Sequence, residues 1–167
     1  MTNTSDIFSY KFNTSMYAAG FYNYTIWAND TDNNSAVPVV SSVTITRAAS
    51  ELRLYLNGTE ANRSFDEDVL INLTTVLSVP NLGEFIQIYL NSSLIANSSS
   101  PAVNISAYQP GLYNVTAVYL GNENYTASLV TWYMTINDTT SPEVLIISPI
   151  AGTYNQSTSI PIVANIT

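Results

Sequence analysis

Apolar side chains recur at every second position along several short stretches of this chain, a pattern typical of β-strands rather than helices. Clusters of Pro, Gly, Asn and Ser, the usual turn residues, separate these stretches. About seven short strands in some 90 residues predict an all-β fold, an antiparallel β-sandwich that buries its own core. The apolar faces are formed by Leu52, Leu54 and Leu56; Val69, Ile71 and Leu73; Ile86, Ile88 and Leu90; Tyr113, Val115, Ala117 and Tyr119; and Trp132, Met134 and Ile136.

The sequence also repeats itself with a period of roughly 92 residues. Setting residue 13 over residue 104, a shift of 91, aligns twelve identical residues without a gap. A second match sets Asn62 and Asn72 over Asn155 and Asn165. We therefore expect tandem sandwiches: the C-terminal part of one repeat in residues 1–47, a complete repeat in 48–138, and the N-terminal part of the next in 139–167. The simplest interpretation is a segment of a longer array.

Two stretches carry a resemblance to a known family, AYQPGLYNVTAVYLGNENYTAS (residues 107–128) and NDTTSPEVLIISPIAGTYNQSTS (residues 137–159). They resemble bacterial and archaeal Ig-like domain repeats of large cell-surface glycoproteins. The resemblance implies a tyrosine corner, in which the Tyr of a Gly-x-Tyr triplet donates to nearby backbone, at Tyr22 and Tyr113. Val115 stands where antibody-type domains have a Cys, and EFIQIYL lacks their Trp, so the disulfide-free microbial type is indicated.

Sixteen of the nineteen Asn residues lie in Asn-x-Ser/Thr sequons. Roughly four would be expected by chance at this Ser and Thr content, so the sequons predict N-linked glycosylation, although an Asn-rich β-protein also produces some incidentally. We expect Asn72, Asn104, Asn114 and Asn137 to face outward from their strands. The candidates are Asn3, Asn13, Asn23, Asn29, Asn33, Asn57, Asn62, Asn72, Asn91, Asn97, Asn104, Asn114, Asn124, Asn137, Asn155 and Asn165.

Composition excludes several classes of function. The chain has four Lys and Arg against twelve acids, a net charge of −8, which disfavours nucleic acid and anionic membrane surfaces as partners. It has neither Cys nor His, so disulfides, zinc sites and histidine-dependent catalysis are excluded. No apolar run is long enough to span a bilayer. Sugars would supply the hydration that so few charges do not, which predicts an exported cell-surface protein, of archaeal origin by preference.

Several acidic and aromatic residue clusters could have a functional role, and each also has an ordinary structural interpretation. Asp30, Asp32 and Asn34 alternate like the start of a calcium loop, but the Gly and Glu of that loop are missing, so a turn is the favoured interpretation. The run Asp66-Glu67-Asp68 cannot converge as catalytic carboxylates, because neighbouring strand residues alternate faces. Asp138 and Glu143 flank a predicted inter-repeat linker. Tyr55, Tyr89 and Tyr133 fall on outward positions, where they are either ordinary strand residues, the favoured interpretation, or a row that binds sugar or protein.

These observations predict a non-enzymatic structural segment of a heavily N-glycosylated extracellular protein that forms a rod, stalk or filament. Its expected partners are neighbouring repeats and identical chains in a filament, with N-linked glycans and no other cofactor. Three alternatives stay open: an adhesin, spacer domains of a larger secreted enzyme, and a polymer in which residues 139–167 of one chain pair with residues 1–47 of the next.

Overall fold

The computed structural model describes residues 2–4, 7–156 and 159–167, and in this part of the chain the fold is all-β apart from one 3-10 turn at Thr14–Met16. The prediction of an all-β fold is therefore confirmed. The strands are β1 (Thr2–Thr4), β2 (Ile7–Ser9), β3 (Gly20–Ile26), β4 (Val39–Ile45), β5 (Glu51–Leu56), β6 (Arg63–Asp66), β7 (Ile71–Val79), β8 (Phe85–Leu90), β9 (Ser93–Ser99), β10 (Ala102–Ser106), β11 (Gly111–Tyr119), β12 (Ser128–Asn137), β13 (Val144–Ser148) and β14 (Val163–Ile166).

Strands β5 to β12 form a two-layer sandwich. One layer is a three-stranded sheet in the order β10-β7-β5, and the other is a five-stranded sheet in the order β6-β12-β11-β8-β9. Every pairing in these sheets is antiparallel except that of β6 with β12, which is parallel. The span thus contains eight strands, one more than the approximate number that alternation predicts.

The core lies between these two sheets and is made of the alternating apolar residues of both. Trp132 adds a direct link, because its indole Nε1–H donates to the backbone oxygen of Leu54 across the layers at 3.1 Å. Most of the expected inward positions are confirmed by burial. The buried apolar side chains are Leu52, Leu54, Leu56, Phe65, Ile71, Leu73, Leu77, Ile86, Ile88, Ala102, Val115, Ala117, Tyr119, Met134 and Ile136.

Val69 was expected on the inner face with Ile71 and Leu73, and this was wrong. Its side chain is exposed, and strand β7 begins only at Ile71. The backbone of Asp68, immediately before it, has a φ of 62°, which places a turn there and ends the alternation.

The remaining strands form three two-stranded hairpins: β1 with β2, β3 with β4, and β13 with β14. Large apolar side chains on the last two hairpins are exposed, among them Phe21, Ile26, Leu145 and Ile146. None of the helical structure in the described residues is long enough to cross a bilayer.

Both predicted tyrosine corners are present. The Tyr22 hydroxyl donates to the Ala18 oxygen and the Tyr113 hydroxyl to the Gln109 oxygen, each at 2.8 Å and each four residues back along the chain. A third corner was not anticipated: in Gly152-Thr153-Tyr154, the Tyr154 hydroxyl donates to the Ile150 oxygen at 2.6 Å.

Candidate glycosylation sites

None of the sequon asparagines whose side chains are described is fully buried. The side chain of Asn3 lies outside the described part of the chain. Of the other fifteen, three are half-buried, Asn104, Asn114 and Asn124, and the other twelve are exposed. The exposed ones are Asn13, Asn23, Asn29, Asn33, Asn57, Asn62, Asn72, Asn91, Asn97, Asn137, Asn155 and Asn165.

Three of the four asparagines predicted on outward strand faces are there. Asn72 and Asn114 alternate with buried residues of β7 and β11, and Asn137 ends β12 on the face opposite Met134 and Ile136. The outward position of Asn137 is accompanied by a hydrogen bond from its Nδ2 to Asp66 at 3.3 Å.

Asn104 is the exception, and the prediction for it was wrong. It shares the face of β10 on which Ala102 is buried, while the branched residues Val103 and Ile105 are the exposed ones. Its Nδ2 donates to the Ile95 oxygen at 3.4 Å, and its Oδ1 accepts the Tyr108 hydroxyl at 2.9 Å. A one-residue error in the phase of a strand exchanges its two faces, and the small side chain of Ala102 gives little signal of that phase.

Several of these side chains also have a structural role in which the amide oxygen accepts a backbone N–H. Because N-linked sugar attaches to Nδ2, Oδ1 remains available for such bonds, and the two roles are compatible. Five of these acceptors, each with its donor, are Asn13 with Ser15, Asn57 with Asn72, Asn62 with Tyr133, Asn91 with Asn114, and Asn124 with Ala19.

Two of the acceptors occupy matched turns. One is the two-residue loop Asn57-Gly58, which joins Leu56 to Thr59. The other is Asn91-Ser92, which joins Leu90 to Ser93. Asn57 has a φ of 46° and Asn91 one of 47°, and the residue after each also has positive φ, as a type I′ turn requires. Asn adopts this conformation more readily than other residues with a Cβ.

Each turn holds an Asn-x-Thr sequon on the neighbouring strand. Asn57 donates its N–H to the Asn72 oxygen at 2.9 Å and accepts the Asn72 N–H at Oδ1 at 2.7 Å; Asn91 and Asn114 exchange the same bonds at 2.9 and 2.8 Å. In both sequons the threonine hydroxyl, of Thr74 or Thr116, donates to the asparagine Oδ1 at 2.7 Å. Each sheet therefore presents one pair of sequons with the same geometry.

A tyrosine completes each pair. Tyr55 lies opposite Thr74 and Tyr89 lies opposite Thr116, both half-buried on the outer face of their sheets. Hydrogen bonding to Glu60 raises the pKa of Tyr55, whereas the Tyr89 hydroxyl donates to Gln87 at 3.1 Å.

The third strand distinguishes the two sites. Ile105 is the partner of Asn72 there, and Tyr133 is the partner of Asn114. Asn114 also lines a shallow, open groove of about 440 Å³, together with Tyr89, Ser92, Thr116 and Val118.

The three tyrosines predicted to face outward do so, but they do not form one row. Tyr55 belongs to the outer face of the three-stranded sheet, whereas Tyr89 and Tyr133 belong to the five-stranded sheet, on the two strands that flank β11. Only the latter two share a face, and Tyr133 is 49% exposed.

The Asp30 segment is a turn in the loop between β3 and β4. Asp30 accepts the backbone N–H groups of Asp32 and Asn34 at one carboxylate oxygen and the Asn34 side-chain N–H at the other. These bonds, first that from the Asn34 side chain, lower the pKa of Asp30. Within the described residues, no three acidic side chains gather in a group suited to a metal ion.

The acidic run and the linker meet at Glu67. Its carboxylate accepts the backbone N–H of Thr139 at 2.9 Å and the hydroxyl of Thr140, and the Thr140 bond is the main cause of its lowered pKa. Asp66 instead accepts from Asn137, and Asp138 accepts the N–H of Thr140. The acidic run therefore fastens the segment that follows β12.

Sequence reasoning missed the paired sequons. The signal is the triplet Tyr-Leu-Asn, which occurs at residues 55–57 and 89–91, each time at a strand end and followed by a small residue. A positive-φ Asn at that position, together with an Asn-x-Thr strand beside it, would have pointed to the shared geometry.

No family model matches the sequence, and no curated protein matches it. Among solved structures, the chain is similar to a fibronectin(III)-like module of Clostridium thermocellum CbhA, with 9% identity and a TM-score of 0.41 over 54% of this chain and 100% of that one. The strand pairing itself defines residues 51–137 as a two-layer sandwich of a three-stranded and a five-stranded sheet.

Proposed function

We propose that this chain is a non-enzymatic structural segment of a heavily N-glycosylated extracellular surface protein, built from tandem Ig-like sandwiches in a rod, stalk or filament. Its repeats are residues 1–47, 48–138 and 139–167. The observation that supports this is the placement of the sequons: none of the fifteen described sequon side chains is buried. A sugar needs an accessible Nδ2, and twelve of these asparagines are exposed outright.

The sequons also fall where a sandwich of this kind needs protection. Its edge strands are β5, β10, β6 and β9, and an exposed edge is a template for pairing with another chain. Asn57 follows β5, Asn62 precedes β6, and Asn97 lies within β9, all three exposed. Sugars at these positions would block edge-to-edge association and hydrate a surface that has few charges.

The topology suits a load-bearing repeat. Strand β6 lies near the start of the sandwich and β12 at its end, and the two are parallel neighbours. Tension applied along the chain would pull them past each other, so that their hydrogen bonds are loaded together rather than one by one. Asn62 and Glu67 add side-chain bonds to Tyr133 and Thr139 at the two ends of this ladder.

Glycopeptide mass spectrometry of material purified from the source organism tests the proposal. We expect sugar at most of the exposed sequons, and the three asparagines outside sequons, Asn34, Asn81 and Asn122, are internal controls that should be bare. Unmodified Asn at every sequon would refute the glycoprotein and leave a plain β-sandwich.

An adhesin is the second candidate, favoured by the two tyrosines that face outward on either side of β11. Binding of the chain to a glycan array, abolished by Tyr133→Ala and unchanged by Tyr55→Ala on the other sheet, would support it. If both variants still bind the array, the outward tyrosines no longer support an adhesin.

A further inference from the structure

Asn114 lies between two aromatic side chains on the outer face of the five-stranded sheet. Tyr133 of β12 is its direct cross-strand partner, and Tyr89 of β8 is its diagonal neighbour through the pairing of Tyr89 with Thr116. Directly opposed side chains have Cβ atoms about 5 Å apart and diagonal ones about 7–8 Å, which is within reach of tyrosine rings.

The asparagine is held in a fixed orientation. Its backbone N–H donates to Asn91 at 2.8 Å, and its Oδ1 accepts the Thr116 hydroxyl at 2.7 Å, while Thr116 also contacts Thr131 at 3.0 Å. Because the carboxamide is planar, fixing Oδ1 also fixes the direction in which Nδ2 points. A group attached there would start from one defined position beside the groove.

The groove offers such a group a surface with both polar and apolar parts. Its lining combines the half-buried ring of Tyr89 and the side chain of Val118 with the hydroxyls of Ser92 and Thr116. The Tyr89 hydroxyl is anchored on Gln87, which limits the motion of the ring. A sugar ring has an apolar C–H face and a polar rim, so it matches this lining.

We propose that the first sugar of an N-linked glycan on Asn114 packs between Tyr89, which lines the groove on one side of Asn114, and Tyr133, which lies on its other side, so that this glycan is a packed part of the fold rather than only a solvent coat. The inference rests on the proposed function, since it needs a glycan at Asn114. An activated glycosyl phosphate would supply it: the bond from C1 to Nδ2 forms, the bond from C1 to the phosphate oxygen breaks, and the amide proton leaves to the phosphate.

Asn72 is the matched control. It has the same turn, the same two hydrogen bonds to the turn asparagine and the same threonine contact, but its partner on the third strand is Ile105 instead of Tyr133. Its neighbouring tyrosine, Tyr55, is engaged by Glu60. A glycan on Asn72 should therefore extend into solvent without packing against an aromatic side chain.

The experiment compares glycosylated chains produced in a eukaryotic secretory host, with the occupancy of each site measured by glycopeptide mass spectrometry. Asn114→Gln should raise the unfolding equilibrium constant about fivefold when Tyr89 and Tyr133 are present and less than about twofold in the Tyr89→Leu or Tyr133→Ser background. Asn72→Gln should show no such coupling to either tyrosine. In NMR spectra, ring-current shifts of the first sugar's protons are expected at Asn114 and not at Asn72.

The outcomes separate this inference from the proposal beneath it. If Asn114 carries sugar but shows neither coupling nor ring-current shifts, the packing of its glycan against the tyrosines is refuted, while the proposal that the protein is glycosylated stands. If other sequons carry sugar but Asn114 does not, the packed glycan on Asn114 is again refuted and the glycoprotein proposal is not. A chain from the source organism with no sugar at any sequon overturns both. Tyr133 is about half exposed, so Tyr133→Ser keeps the test available if the Tyr89 variant fails to fold.

Discussion

The hairpins β3–β4 and β11–β12 have the same internal structure. Gly20 pairs with Ile45 in the first and Gly111 with Ile136 in the second, so each residue of one hairpin corresponds to the residue 91 positions later. Each begins with a tyrosine corner whose hydrogen bond is 2.8 Å long. The local sequence alone therefore specifies strand pairing, register and corner.

Their surroundings differ. Val115 and Ala117 of β11 are fully buried, whereas the equivalent residues Tyr24 and Ile26 of β3 are 48% and 60% exposed. The β11–β12 hairpin packs against the sheet β10-β7-β5, and β3–β4 has no opposing sheet in the described residues. Burial is therefore a property of the partner sheet, while the hairpin itself is encoded locally.

Removing the same side chain from each hairpin should give the largest contrast. Ile136 of β12 is 3% exposed and Ile45 is its partly exposed equivalent in β4. We expect Ile136→Ala to lower the free energy of unfolding of the sandwich by about 2–5 kcal/mol and Ile45→Ala to change it by less than about 0.5 kcal/mol.

Urea denaturation followed by the fluorescence of Trp132 measures this effect. Trp132 bonds across the sandwich, and a Trp27→Phe background removes the other tryptophan, which is exposed. Equal losses for the two variants would mean that β3–β4 is packed as closely against the sandwich as β11–β12 is.

The tyrosine corners should show a smaller contrast. Tyr113→Phe removes a hydrogen bond to Gln109 within the packed hairpin, and we expect it to destabilise the sandwich by about 1 kcal/mol. Tyr22→Phe removes the equivalent bond to Ala18 beside the β3–β4 hairpin and should leave the unfolding transition reported by Trp132 unchanged. A loss of similar size from Tyr22→Phe would show that the two hairpins unfold as one unit.

The parts of this structure that sequence predicts are those set by local chemistry. Alternation gave the strands, and the Gly-x-Tyr triplets gave the corners, because each depends on residues within a few positions of one another. Asn104 and Val69 were misplaced where one small residue or one positive-φ backbone shifts the phase of alternation.

The candidate sites were predictable in part. Sequons are visible in sequence, but the pairing of Asn57 with Asn72 and of Asn91 with Asn114 joins residues 15 and 23 positions apart. Which tyrosine lies beside which asparagine depends on strand order across a sheet, and no local pattern contains that order.

The side chain of Asn124, in the loop between β11 and β12, bonds the residue that precedes β3, and removing it should act locally. The Asn124 Oδ1 accepts the Ala19 N–H at 3.0 Å, just before β3. We expect Asn124→Ala to speed hydrogen exchange of the Ala19 amide about fivefold, with little change in the stability of the sandwich. Asn33→Ala, at the equivalent position of the β3–β4 loop, is the control and should leave that amide unaffected. Unchanged exchange in both variants would mean that other contacts hold this junction.

The smallest expected effect depends on pH and concerns the segments that follow the second strand of each hairpin, β12 and β4. Glu67 fastens Thr139 and Thr140 after β12, and its pKa lies below its ordinary value of 4.5, chiefly because the Thr140 hydroxyl donates to it. A carboxylate with a lowered pKa contributes stability that is present above the unfolded value and is lost as the pH falls through the folded one. After β4, by contrast, Ala48 exchanges backbone bonds with Asn124 and Thr126, which do not titrate.

Acidification below pH 4.5 should therefore release the Thr139 amide while leaving the Ala48 amide protected, in hydrogen exchange corrected for the intrinsic rates. Glu67→Gln keeps an acceptor but cannot titrate, so it should remove the pH dependence, whereas Glu67→Ala should leave the Thr139 amide unprotected at every pH. Protection of Thr139 that persists in Glu67→Ala would show that the linker is held by its own backbone. The segments that follow β4 and β12 would then be held in the same way, and the two hairpins would differ only in how they are packed.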